Sequence, residues 1–180
     1  NKNYNIWDKF FKNINKFNLK DVYKSHNVII DNTSIPRDNL YLTGKDFIKF
    51  KKRIIPRSKI IKKVNIFHKK YFNKKDKILG IHFRGTDYKT AAGHPFPPTK
   101  KIMLEFVKKI LSKYRYNKIF LVTEEINYLE FLKKNFKKEC FFYDSYRFQS
   151  NREYYFSQRK NHDYLLGEEI FVEALILSKC

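Results

Sequence analysis

The run Leu79-Gly80-Ile81-His82-Phe83 (LGIHF, 79–83) is short, apolar and bounded by turn signals, the pattern of a strand buried on both faces. Downstream, KIFLVT (118–123) and CFFY (140–143) repeat that pattern, and the stretches between them are helical. Thr99, after Pro97 and Pro98, is placed to cap a helix on which Ile102, Met103, Phe106, Val107, Ile110, Leu111 and Tyr114 face inward. Ile126 to Phe136 reads as a second helix. Strands that alternate with helices predict an α/β fold, a Rossmann-like parallel sheet with flanking helices and right-handed crossovers. Ser145 to His162 is polar and aromatic without period, a loop leading to a last helix, Tyr164 to Ser178. That helix is apolar on nearly all sides and is expected to lie inside, with the strand it should feed missing.

Upstream the reading is helical. Ile6, Trp7, Phe10, Phe11, Ile14 and Phe17 make an apolar stripe, Val28 to Ile30 is a short candidate strand, and DNTSIPRDN (31–39) has loop chemistry. A helical pattern from Asp46 is interrupted by Pro56 and resumes through Ile60, Ile61, Val64, Phe67, His68 and Tyr71, before a turn at KKDK (74–77). Two regions are therefore expected: a mostly helical segment over 1–75 and an incomplete Rossmann-like domain over 76–180.

Composition excludes several classes. Hydrophobic residues at 42% and aromatics at 18% set aside disorder, even at a net charge of +21. No apolar run approaches the roughly 20 residues that cross a bilayer, and the amino end lacks the apolar core of a signal peptide, so a soluble piece is expected. The 39 basic residues are 31 Lys and 8 Arg, accompanied by 13 Tyr, 18 Phe and three Ala, a mixture that AT-rich codons produce. The rival reading is an electropositive surface that attracts nucleic acid, phosphates or anionic membrane. Pairs such as Lys62-Lys63, Lys108-Lys109 and Lys137-Lys138 are scattered over polar helix faces rather than clustered, which favours a solvated coat. Cys140 and Cys180 have neither a disulfide framework nor zinc spacing. The chain starts at Asn1 and stops within LILSKC, and is expected to be a fragment of a longer protein.

In open α/β sheets ligands bind beyond the carboxyl ends of strands, which directs attention to Arg84, Gly85, Thr86 and Asp87. Side chains alternate along a strand, so His82 and Arg84 project to one side and aim an imidazole and a guanidinium at one crevice. Gly85 permits a sharp turn or a close backbone approach to a ligand, and Asp87 is placed to hold the Arg84 fork or accept from loop amides. A purely structural Arg-Asp pair fits the same residues. Thr123 closes the second strand at the same end of the sheet.

These residues resemble a family. LGIHFRGTDY (79–88) is similar to the first shared motif of the fucosyltransferase superfamily of bacterial α1,2 and α1,6 enzymes, the core α1,6 enzyme of N-glycans and the protein O-fucosyltransferases. KIFLVTEEINYLEFLKKNF (118–136) resembles the strand, acidic pair and helix after that motif, and GEEIFVEALILSKC (167–180) the helix with a base-binding acid. The resemblance implies a GT-B architecture of two Rossmann-like domains, with GDP-fucose held mainly by the carboxyl-terminal one, no metal or other cofactor, and a glycan or protein hydroxyl as acceptor. It makes residues 1–75 a lead-in from an acceptor-side domain. His82 would then contact the nucleotide, Arg84 the diphosphate, and Glu173 the guanine, whose adjacent N–H donors suit a carboxylate. Glu173 sits among apolar neighbours, so a polar partner is expected.

The resemblance also implies the cytoplasm for a bacterial member and the secretory-pathway lumen for a eukaryotic one. Many α1,2 and α1,6 members carry two consecutive arginines where this chain has Arg84-Gly85, and Glu124-Glu125 replaces the more usual aspartates. The loop KTAAGHPFPPT (89–99) offers no carboxylate as base and leaves His94. The alternatives are a non-catalytic basic α/β nucleic-acid-binding domain and a related transferase using another GDP-sugar.

Overall fold

The computed structural model describes residues 7–12, 55–85, 96–136, 140–149 and 159–180. The candidate strand at 28–30, the loop DNTSIPRDN and the helical pattern from Asp46 to Ile54 lie outside them, as do Asp87 and His94. The chain divides into two compact units, Asn1–Ile60 and Ile61–Cys180.

In the first unit, helix α1 spans Trp7–Phe10. Phe11 forms an antiparallel bridge with Pro56. Proline has no N–H to give, so the neighbours carry the hydrogen bonds: Lys12 N–H donates to the Ile55 carbonyl at 2.7 Å, and Arg57 N–H to the Phe10 carbonyl at 2.8 Å. Pro56 thus stands just before helix α2 (Ser58–Tyr71).

The second unit continues with β1 (Ile78–Phe83), α3 (Lys100–Lys113), β2 (Lys118–Thr123), α4 (Ile126–Phe136), β3 (Cys140–Phe141) and α5 (His162–Leu177). The strands are parallel in the order β1-β2-β3. Ile78 pairs with Lys118 and Phe83 with Thr123, so β1 and β2 end level. β3 is shorter than CFFY predicts, because the ladder with β2 stops where Phe120 meets Phe141.

Strand alternation divides the core. Ile81, Ile119, Leu121 and Cys140 pack with Val107 of α3 and with Leu129, Leu132 and Phe136 of α4. On the other face, the Phe120 ring meets Phe67 of α2 edge-on at 5.6 Å, and Leu177 of α5 lies against Gly80. Helices therefore cover both faces, and β2 reads as a continuous apolar run because both its faces are buried. Helix α5 returns over β1 and β2 on the face opposite α3 and α4, which creates a crevice at the carboxyl end of β1.

Two expectations are corrected. Thr99 caps α3, its hydroxyl accepting from Ile102 N–H at 3.3 Å, but the inward face of the helix is narrower than its apolar stripe. Val107 is buried and Met103, Leu104 and Leu111 pack partly against the core, while Ile102, Phe106 and Tyr114 are exposed. Nor is α5 enclosed on all sides. Ile170 is exposed, and the buried residues include His162, Glu168 and Glu173 beside Val172 and Ile176. The helix also starts two residues early, at His162, after Asn161 in a left-handed conformation (φ 56°). Among the described residues no helix is long and apolar enough to cross a membrane.

The phase of α3 is testable. Phe106 is 58% exposed and Val107 2%. Phe106→Ser should change stability by no more than about 0.5 kcal/mol, whereas Val107→Ala should cost ~1–2 kcal/mol in urea unfolding. A larger loss for Phe106→Ser than for Val107→Ala would place the stripe the other way round.

Candidate functional site

The crevice holds a cavity of about 210 Å³ lined by His82 and Arg84 from β1, Val122 to Glu124 from β2, Ser145, Tyr146 and Phe148 from the loop after β3, and one side of α5 including Glu173. It lies where an open parallel sheet binds its ligands, beyond the strand ends and under the returning helix. His82 also borders a wider cavity of about 720 Å³ with His68, Asp76 and Cys180. That second space runs toward the amino end of β1 and lacks both Arg84 and Glu173, so the smaller one is the candidate site.

Four of the six residues singled out from sequence meet there: His82, Arg84, Thr123 and Glu173. His82 and Arg84 are both exposed at its rim. Thr123 is buried and its hydroxyl accepts from Glu125 N–H at 3.2 Å, an arrangement that turns the chain from β2 into α4. Gly85 is buried behind the rim, and its N–H donates to Glu124 Oε1 at 2.8 Å. A Cβ on Gly85 would collide with Glu125 Oε1 and stand 2.8 Å from Phe83 Cε1, so the glycine is required by the approach of an acidic side chain. The sixth residue, Asp87, lies outside the described residues.

Glu173 has the partners its burial demands. Its Oε1 accepts from Ser145 Oγ–H at 2.6 Å and from an Arg147 N–H at 3.1 Å. Burial nevertheless pushes its carboxyl up to about 7, with Ser145 and Arg147 pulling down and the charges of Glu169 and Glu124 adding to the rise. Burial likewise lowers Arg147, opposed by Glu173. Tyr128, stacked on Phe83 with ring centroids 3.7 Å apart, has its hydroxyl raised by burial and then by Glu125, and donates to the Pro98 carbonyl at 2.8 Å.

Sequence reasoning missed the wall made by Ser145, Tyr146 and Arg147. The strand-end rule that picks out Arg84 after β1 applies equally after β3 and is the signal that finds them. Among the described residues no group of three or more His, Cys, Asp or Glu is arranged to hold a metal ion.

With this geometry in place, comparison with solved structures finds folds similar to this one. The fold matches crystal structures of NodZ alpha-1,6-fucosyltransferase, one co-crystallized with GDP (16% identity, TM-score 0.54, 77% of this chain and 40% of that chain) and one soaked with GDP-fucose (17% identity, TM-score 0.54, 77% and 41%). A third, fucosyltransferase NodZ from Bradyrhizobium, matches at 16% identity with a TM-score of 0.52 over 77% and 41%. The chain therefore spans about 40% of the length of these proteins. No family profile and no curated protein sequence matches it. The three-stranded parallel α/β layer expected from the sequence is a fold shared with these fucosyltransferase structures.

Two outcomes are expected of the site's own chemistry. Gly85→Ala should destabilise the fold by about 1–3 kcal/mol, since the new methyl forces both the Glu125 carboxylate and the Phe83 ring stacked on Tyr128 to shift; unchanged thermal stability would rule out the close approach. For Glu173, the folded state holds a proton to about pH 7 where the unfolded chain releases it near 4.5, so this group takes stability away as pH rises between those values. Glu173→Gln should remove that downward component from the stability-pH profile over pH 5 to 7, and an unaltered slope would place the ionisation elsewhere.

Proposed function

We propose that this chain is the nucleotide-sugar-binding part of a glycosyltransferase that moves fucose from GDP-fucose to a glycan or protein hydroxyl. The observation that carries the reading is the convergence of Arg84, His82 and Glu173 on one cavity at the carboxyl end of β1, in a fold shared with a fucosyltransferase crystallised with GDP. In this reading guanine enters the enclosed part against Glu173. The diphosphate lies at the rim, where Arg84 presents a planar fork suited to phosphoryl oxygens and His82 stands beside it. The volume of about 210 Å³ is below the roughly 300–1,000 Å³ of sites that enclose a whole ligand, so the fucose would extend outward toward an acceptor.

Transfer breaks the bond between the anomeric carbon and the diphosphate through a transition state of oxocarbenium character, as in glycoside hydrolysis. Negative charge grows on the leaving diphosphate, and a guanidinium that binds it more tightly as the charge develops lowers the barrier. Inversion at the anomeric carbon, without a metal, is the stereochemical course we propose, with Arg84 the catalytic residue. Asp87, chosen from its place in the sequence after Arg84, completes the proposed binding set.

The test is calorimetric titration of GDP and of a polynucleotide at two salt concentrations, with transfer assays on the complete protein. GDP should bind with a shallow salt dependence, and Arg84→Lys should lose most transfer, a few-hundredfold for a loss of ~3–4 kcal/mol. Tight polynucleotide binding that falls steeply with salt, without GDP binding, would establish the basic nucleic-acid-binding alternative. Faster transfer from GDP-mannose than from GDP-fucose would change the sugar and keep the site.

A further inference from the structure

Arg147 is 4% exposed and its guanidinium is fixed by backbone before it meets any acid. One terminal nitrogen donates to the Ser145 carbonyl at 2.7 Å. The other donates to the Tyr143 carbonyl at 2.9 Å and to Glu173 Oε1 at 3.1 Å. Its plane lies over the Phe142 ring at 5.2 Å, and its Nε finds no acceptor. The loop that carries it is pinned in turn: Phe148 N–H donates to the Glu124 carbonyl at 2.7 Å, and the Phe148 carbonyl accepts from Ile126 N–H at 3.1 Å. Arg147 is thus held by carbonyls of its own loop, which Tyr146 N–H also ties to α5 through Glu169 Oε2 at 3.1 Å, and the carboxylate of Glu173 meets it there. With Ser145 and Arg147 both on Oε1, that oxygen's two lone pairs are taken, while Oε2 has no hydrogen bond among the described residues.

Resting on the proposed nucleotide reading, we infer that Arg147 is a positioning residue for base recognition. With Ser145 it favours the ionised form of Glu173 against burial and turns Oε2 to the bound base, and so sets preference for a purine that offers an N–H, guanine, over one that offers a bare ring nitrogen, adenine. A protonated Glu173 would offer the reverse pattern at that edge, so selectivity depends on the proton staying off. The charges that bear on this ionisation come from every wall. Glu169 lies one turn away on α5 and is held by Arg159, Glu124 stands on the β2–α4 turn with Gly85 N–H, Asp144 is next to the Arg147 loop, and His82 and Arg84 line the β1 rim.

The experiment titrates GDP and ADP into the 180-residue chain from pH 5.5 to 8.5 for wild type, Arg147→Met and Ser145→Ala, with Glu173 followed by its carboxyl carbon resonance. Wild type should prefer GDP, increasingly as pH rises through neutrality. Removing an adjacent cation raises a carboxyl by about 1–3 units, so Arg147→Met should move the midpoint of GDP binding and of the Glu173 resonance up by at least about one unit. GDP affinity at pH 7 should fall about fivefold to tenfold, with ADP changed by less than about twofold. Ser145→Ala should shift both midpoints the same way by a smaller amount, and carries the test if Arg147→Met does not fold. Midpoints that stay put in a folded variant, or equal losses for GDP and ADP, overturn the inference. Wild type that binds neither nucleotide overturns the proposed function and the inference with it.

Discussion

The contact of the end of α5 with the β1 backbone at Gly80 is what roofs the site. A Cβ there would stand 2.7 Å from Leu177 Cδ1 and 3.0 Å from Cys180 Cβ, so the hydrogen of glycine is what allows the end of α5 to lie on β1. Once seated, α5 turns Glu173 toward the ends of β1 and β2, where His82 and Arg84 emerge. Every functional statement about the cavity follows from that contact between a helix and a strand backbone. Gly85 makes a second close approach five residues on, this time to Glu125. Two glycines in one short stretch therefore set the helix above the strand and the acidic turn beside it.

The buried pair of Arg147 and Glu173 is not a device for stability. Desolvation of both groups outweighs much of their attraction, which is why Glu173 rises and Arg147 falls even at hydrogen-bonding distance. An apolar pair of similar volume would serve the core at least as well. What such a pair supplies is an acceptor fixed at the cavity wall, and it is the loop after β3 that makes it possible. Glu168, also buried on α5, is treated differently: Lys63 and the Tyr164 hydroxyl satisfy it away from the cavity. The two buried acids on one helix thus have separate sets of partners.

The sheet was legible because LGIHF, KIFLVT and CFFY combine the right length with flanking turn chemistry, and α4 was legible to the residue because its apolar side chains fit one period. The face of α3 was not. Seven apolar residues make a stripe wider than a three-stranded sheet covers, and periodicity does not say which edge of the stripe touches. In α5 the surrounding Ile, Leu and Val conceal that two glutamates are buried. His82, Arg84 and Glu173 were found through strand ends and family likeness. Ser145 and Arg147 were not: the strand-end rule reaches the loop after β3, but their pairing with Glu173 joins segments 26 and 28 residues apart, for which no local pattern exists.

Among the described residues β1 and β3 each have a single neighbour, and no described strand pairs with the outer backbone of either. Such flanks invite edge-to-edge stacking of molecules, and the usual defence is charge. Here the lysine coat supplies it: at +21, like-charged copies repel one another over a screening length of about 10 Å in 0.1 M salt and only about 3 Å at 1 M. The protein should consequently be most dispersible in dilute buffer and gather into fibrous or amorphous material as electrolyte is added, the opposite of ordinary salting-in.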